Sequence, residues 1–226
     1  MSESSTLEES LEFVDNPEPR CPCVLLLDTS ASMTGAAIAA LNDGLRVLKE
    51  DLLKDPVASA RVEVAVVSFN SDITVVRDFS TPDLFDPPIL IAKGTTHMGS
   101  GIHKALDMLQ VRKATYKSNG IMYYRPWVFM ITDGEPQGEA DSIVDMAAAR
   151  IKDDEANKRV CFFAVGVEGA NMTRLAQLLV RPPVKLFGLN FAQMFVWLSR
   201  STGQVSRSKS DDQQMALPPP GWATTG

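Results

Sequence analysis

The 226-residue chain is 45% apolar and 22% charged with a net charge of −6, which is the composition of a globular protein with a sizeable core. Residues 1–20 hold six carboxylates against Arg20 alone, leaving the remainder close to neutral. The absence of a basic block or a Lys/Arg helix face excludes the electrostatic footprint of a nucleic-acid or anionic-membrane binder. No apolar run reaches the ~18 residues of a membrane span, and the first residues lack a cationic, apolar leader, so a cytoplasmic location is expected. The cysteines, Cys21, Cys23 and Cys161, form no disulfide framework. Cys21-Pro-Cys23 lacks the further ligands that zinc requires, so these side chains are expected to pack.

Buried-type apolar runs alternate with helical periodicity, which predicts a parallel sheet covered on both faces. "CVLLLD" is the first strand. Ile38, Leu41, Leu45, Leu48 and Leu52 then repeat on one helical face up to Pro56. "RVEVAVVSF" and "DITVVRDF" are separated by Asn70 and Ser71, a link short enough for a hairpin and hence an antiparallel edge strand. A proline-rich loop follows, then a helix marked by Ile102, Ala105, Leu106 and Leu109, and the strand "WVFMIT" ending at Asp133. "EADSIVDMAAARIKDDEANK" reads as a helix and "VCFFAVGV" as a strand. "NMTRLAQLL" and "NFAQMFVWLSRS" read as helices flanking a short strand, "VKLF". The expected organisation is an acidic segment over 1–20, one doubly wound α/β domain over 21–206 and a flexible tail over 207–226.

Ligands of such sheets collect beyond the carboxyl ends of the strands. Asp28-x-Ser30-x-Ser32 follows the first strand, Asp133 ends the "FMIT" strand, and Thr95 and Thr96 lie in the loop opening the helix between. Each feature alone is also a helix-capping or turn signal. Together they offer two carboxylates and several hydroxyls, a hard-oxygen set suited to Mg²⁺, with Mn²⁺ or Ca²⁺ as alternatives. Two carboxylates neutralise a dication without saturating it, which leaves attraction for one further anion.

"DTSASM", "GTTHMGSGIHKAL" and "FMITDGEP" resemble, in order, the DxSxS motif, threonine loop and TDG strand end of von Willebrand factor A domains, over roughly residues 24–190. The resemblance implies a Rossmann-like fold. It also implies a metal-ion-dependent adhesion site at Asp28, Ser30, Ser32, Thr96 and Asp133, completed by an Asp or Glu carboxylate of a protein partner. Thr96 is favoured over Thr95 because it stands five residues before Gly101-Ile102. The family motif commonly has glycine where Ala31 stands, so this loop must suit an ordinary residue.

A narrower resemblance, carried by "FVDNPEPRCPCVLLLDTS", "ALNDGL", "YYRPWVFMITDGEP" and "FVWLSRS", is to TerY-type proteins of bacterial tellurium-resistance systems. It implies a non-enzymatic component of a stress-response or defence complex with kinase or PP2C-like phosphatase partners. The cysteine-rich C-terminal extension of some members is missing. Two rival readings are a metal-independent scaffold and a metal-dependent phosphohydrolase. The latter would need a base near Ser30 or Asp28, whereas His97 and His103 are the only histidines.

Overall fold

The computed structural model describes residues 13–208 and 221–225. Six strands follow in chain order: β1 (Cys21–Asp28), β2 (Val62–Phe69), β3 (Ile73–Ser80), β4 (Trp127–Thr132), β5 (Cys161–Gly166) and β6 (Val184–Leu186). A seventh, β7 (Ala223–Thr225), comes from the chain end. The helices are α1 (Ala36–Leu53), α2 (Pro56–Arg61), α3 (Met98–Ser118), α4 (Asp141–Ala156), α5 (Met172–Leu178) and α6 (Phe191–Ser206). The strands form one sheet in the order β3-β2-β1-β4-β5-β6-β7, a doubly wound arrangement whose direction of winding reverses between β1 and β4.

Side-chain alternation along β1 explains the two layers. Cys21, Cys23, Leu25 and Leu27 face one apolar core with α1 and α6, while Val24 and Leu26 face a second core with α3, α4 and α5. Both faces being covered accounts for the uninterrupted apolar runs of β1 and β4. Cys21 and Cys23 are buried packing residues, and burial pushes the Cys23 thiol up to about 12.

β1 begins two residues before the expected run, because Cys21 and Pro22 already pair with Val62 and Glu63. The expected antiparallel edge strand is β3, joined to β2 through Asn70–Asp72 in a turn where Asn70 Oδ1 accepts from Asp72 N at 2.9 Å. A second antiparallel strand, β7, pairs with β6 at the opposite edge. The flexible tail expected over 207–226 is therefore corrected in part. Trp222 is buried against Trp197, edge to face at 5.6 Å, and composition gives no hint of a partner so far back in the chain. Residues 209–220 lie outside the described part.

The boundary expected at residue 21 also moves. Phe13 is buried, and its ring meets Tyr116 at 5.9 Å. Arg20 is fully buried beside Glu63, whose carboxylate accepts from Arg20 Nε at 2.8 Å, from Arg112 Nε at 2.9 Å and Nη2 at 2.8 Å, and from the Tyr116 hydroxyl. The Arg20 Nη atoms donate to the Glu18 and Asn16 carbonyls at 2.9 and 2.6 Å. Glu63 thus fastens the entering chain to β2 and α3.

Removing one partner from a buried, hydrogen-bonded charge cluster leaves the others uncompensated. Glu63→Ala is expected to lower unfolding free energy by about 3–5 kcal/mol in urea titrations. Glu18→Ala, which breaks a half-exposed pair with Arg61, is expected to cost less than about 1 kcal/mol.

Candidate functional site

Asp28 ends β1 at the winding reversal and is fully buried. Its Oδ1 accepts from Ser30 N at 2.8 Å, and its Oδ2 accepts from the hydroxyl of Thr132, the last residue of β4, at 2.5 Å. One carboxylate therefore closes the ends of two adjacent strands and aims the loop that follows. Ser30 is extended (φ −66°, ψ 166°) and leads into a 3₁₀ turn at Ala31–Met33. Ser30 Oγ and Ser32 Oγ lie 3.0 Å apart, and Ser32 Oγ donates to Asp133 Oδ1 at 2.8 Å.

The chain reverses out of this turn through Gly35 (φ 87°), which precedes α1. The left-handed backbone that requires glycine thus falls at position 35. Ala31 has no positive φ, as its side chain demands.

The second loop is laced to the first and third by main-chain bonds. Lys93 N donates to Thr29 O at 2.8 Å and Ala31 N to Gly94 O at 3.0 Å, while Thr96 and Gln137 exchange both backbone bonds at 3.1 and 2.9 Å. Thr96 is buried, its Oγ1 3.6 Å from where a Cβ on Gly134 would stand. Its hydroxyl has no hydrogen-bond partner among the described residues. Thr95 differs. It is exposed, with its hydroxyl 3.0 Å from Ser71 Oγ and its N–H donating to that same oxygen at 2.9 Å. The geometry therefore separates two threonines that sequence places side by side.

Asp28, Ser30, Ser32, Thr96 and Asp133 thus stand on three interlocked loops at the carboxyl edge of the sheet. Asp28 and Ser30 form a buried floor, while exposed Ser32 and half-buried Asp133 form the rim. Burial holds the carboxyls of both Asp28 and Asp133 above their ordinary range, and the charge of Asp133 raises Asp28 further. The cluster concentrates oxygen donors and has no histidine within hydrogen-bond reach. His103 instead meets Arg150, whose Nη1 lies 3.4 Å from Nδ1. Among the described residues no three His, Cys, Asp or Glu side chains converge, so hydroxyls must supply any further donors here.

Residues that sequence reading missed hold this frame. Thr132 fixes Asp28, and Asn70 Nδ2 donates to Thr29 Oγ1 at 2.9 Å. Glu139 caps α3 from the third loop, accepting from Gly99 N at 2.6 Å, Ser100 N at 3.1 Å and Ser100 Oγ at 2.9 Å. The only legible trace of that cap was a carboxylate a few residues beyond "TDG". The glycine pair Gly99 and Gly101 serves packing. A Cβ on Gly99 would stand 2.9 Å from the Val144 backbone of α4, and one on Gly101 3.0 Å from Phe69.

Two outcomes are expected of this geometry. A raised folded-state pKa costs stability where the group must ionise. The penalty is absent below the ordinary carboxylate pKa of about 3.9, grows as pH rises through the window up to the raised value, and is complete above it. In chelator, the unfolding free energy of wild type should therefore fall over this window relative to Asp28→Asn, as read by denaturant titration at several pH values. Gly99→Ala should destabilise by about 1–3 kcal/mol through overpacking of α3 on α4, measured in the same titration.

The family model of the von Willebrand factor type A domain matches residues 23–192. A search of curated protein sequences gives no significant match. Among solved structures, the chain is similar to proximal thread matrix protein 1 of the mussel byssus, at 17% identity and TM-score 0.57, covering 82% of this chain and 48% of that one. It is also similar to the vWF domain of a type V pili tip protein from Porphyromonas gingivalis, at 13% identity and TM-score 0.62, covering 87% and 99%. A third is the pilus adhesin SpaC of Lactobacillus rhamnosus GG, at 11% identity and TM-score 0.64, covering 83% and 31%. The chain spans about half the length of the byssus protein. At such identities these structures speak for the fold, and no helix among the described residues is long and apolar enough to cross a membrane. The matched stretch carries Asp28, Ser30, Ser32, Thr96 and Asp133 and most of the sheet, and on that ground the chain belongs to the von Willebrand factor type A domain family.

Proposed function

We propose that this chain is a protein-interaction module whose contact point is a divalent cation held by Asp28, Ser30, Ser32, Thr96 and Asp133 and completed by a partner's Asp or Glu. Von Willebrand factor A domains commonly mediate protein–protein interaction, and the finer reading rests on the donor set. The observation that carries it is the pairing of two carboxylates, both disfavoured as anions by burial, across the Ser30–Ser32 hydroxyl pair. A cation removes that penalty. The unpartnered Thr96 hydroxyl adds a neutral donor.

All five donors are hard oxygens, which fits Mg²⁺ first and Mn²⁺ or Ca²⁺ as alternatives. When bound, the cation would supply a positive centre able to attract one further anion, because only two protein charges oppose it. The protein's own part is to hold Asp28 by Thr132 and Ser30, to keep the three loops in register, and to leave Ser32 and Asp133 facing solvent. The lack of a base beside Ser30 or Asp28 favours adhesion over hydrolysis. The narrower resemblance to TerY-type proteins supports a kinase or PP2C-like phosphatase as the partner, within a tellurium-resistance or stress-response complex.

Magnesium at about a hundredfold its Kd is expected to stabilise wild type by about 2.7 kcal/mol, and Asp28→Ala/Ser30→Ala not at all, as read by thermal unfolding with and without EDTA. Partner capture from cell extract should be lost both in EDTA and in this variant. Capture that persists in EDTA identifies a metal-independent scaffold. Metal-dependent phosphoester turnover abolished by Asp28→Ala identifies a hydrolase.

A further inference from the structure

A groove of about 1060 Å³ lies between α3 and α4 at the amino ends of β4 and β5, the end of the sheet opposite Asp28 and Asp133. Six cations line it against the carboxylates of Asp153 and Asp154, in a protein of net charge −6. Part of that charge is committed. Arg125 pairs with Glu155 at 2.7 Å, Arg150 with Asp107 at 2.7 Å, and Arg159 with Asp153 and Asp154 at 2.9 Å each. Lys113 and Lys117, on one face of α3, have no carboxylate within ion-pair distance among the described residues. The half-buried Lys113 ammonium donates to the Arg159 carbonyl at 3.4 Å. Burial lowers its pKa, and the charges of Arg159, Lys117 and Arg150 lower it further against the pull of Asp154. These four cations crowd one another, and an anion placed among them relieves the repulsion.

The groove wall carries a second, independent demand. Just ahead of β4, Arg20 N donates to Met122 O at 2.9 Å and Tyr124 N to Arg20 O at 2.8 Å, a parallel bridge opposite Tyr123. Main-chain groups of successive extended residues point to alternate edges, so this pairing turns the N–H and C=O of Tyr123 to the other edge. That is the edge on which β5 joins β4, but β5 begins only at Cys161, whose N–H donates to Pro126 O at 2.7 Å. No strand therefore reaches Tyr123. Neither of its main-chain groups has a hydrogen-bond partner among the described residues, and Tyr123 lines the same groove as Lys113 and Lys117. The groove thus combines surplus positive charge with a short open strand edge.

We infer that this groove binds an extended acidic segment of a partner protein, which pairs its backbone with Tyr123 and sets its carboxylates among Lys113, Lys117 and Arg159. Main-chain pairing orients the segment, and the alternation of side chains along it lets every second residue present a carboxylate to the lysines of α3. The site lies at the opposite end of the sheet from Asp28 and requires no metal.

A fluorescein-labelled peptide of four Glu-Val repeats, titrated with the full chain in EDTA and followed by anisotropy, tests this. Binding is expected at low salt and should be lost in about 1 M NaCl, where the Debye length is about 3 Å. Lys113→Glu/Lys117→Glu should weaken it at least about tenfold through like-charge repulsion, with Lys113→Gln/Lys117→Gln in between. The same peptide N-methylated at every amide keeps its charge and should bind wild type about fivefold more weakly, the worth of one main-chain hydrogen bond. In NMR of wild type, the unmethylated peptide should slow hydrogen exchange of the Tyr123 amide several-fold, and four Lys-Val repeats should not. Absence of binding, or binding unchanged in the glutamate variant, would overturn the inference. Equal affinity for the methylated peptide or for inorganic tripolyphosphate, with Tyr123 exchange unaltered, would overturn it in favour of a plain anion site. Tighter binding of a single-stranded RNA oligonucleotide, lost in the same variant, would overturn it in favour of nucleic acid.

Discussion

Burying one carboxylate at the end of the central strand is the constraint from which the site is built. Asp28 is cut off from water, so its oxygens must find donors in the protein. They find them in the Ser30 amide of its own loop and the Thr132 hydroxyl of β4. The first bond bends the chain over the strand end, and the second joins β1 to β4 where the winding reverses. From there Ser30, Ser32 and Asp133 follow as a connected row of oxygens. The remaining loop is brought in by backbone pairing of Thr96 with Gln137 and by the Glu139 cap on α3. These bonds also explain how three loops keep one geometry on top of a parallel sheet.

Much of this was legible in the sequence. A strand covered on both sides has no polar face, so β1, β2, β4 and β5 stand out as apolar runs. A short polar link between two such runs leaves little besides a hairpin. The candidate site residues stand out in the sequence because they fall next to element ends: Asp28 closes β1, Asp133 follows β4 and Thr96 shortly precedes α3. What escaped depends on contacts remote in sequence. Glu139 caps a helix that starts some 40 residues earlier, and Trp222 settles on Trp197 from within a Pro- and Gly-rich stretch. Glu63 is a charged residue in an otherwise apolar strand, and only the fold reveals that Arg20, Arg112 and Tyr116 surround it.

Neighbouring residues of one type also receive different tasks from the fold. Thr95 is taken up by Ser71 as part of the loop's own bracing, while Thr96 keeps its hydroxyl beside Gly134. Cys21 and Cys23, suggestive as a pair, point into the same apolar core as Leu25 and Leu27. Strand alternation settles their role before any question of chemistry arises.

α3 is 21 residues long, about 32 Å at the rise of an α-helix. Its first turn is capped by Glu139 from the loop that carries Asp133, and its last turns carry Lys113 and Lys117 at the far end of the sheet. One rigid element is thus a structural member of both ends of the molecule, and it is pressed against α4 without the width of a methyl group to spare at Gly99. Any free energy by which an occupant at one end alters binding at the other must act equally in the reverse direction. A single helix thus carries the bracing of the loops at one end of the sheet and the lysines at the other.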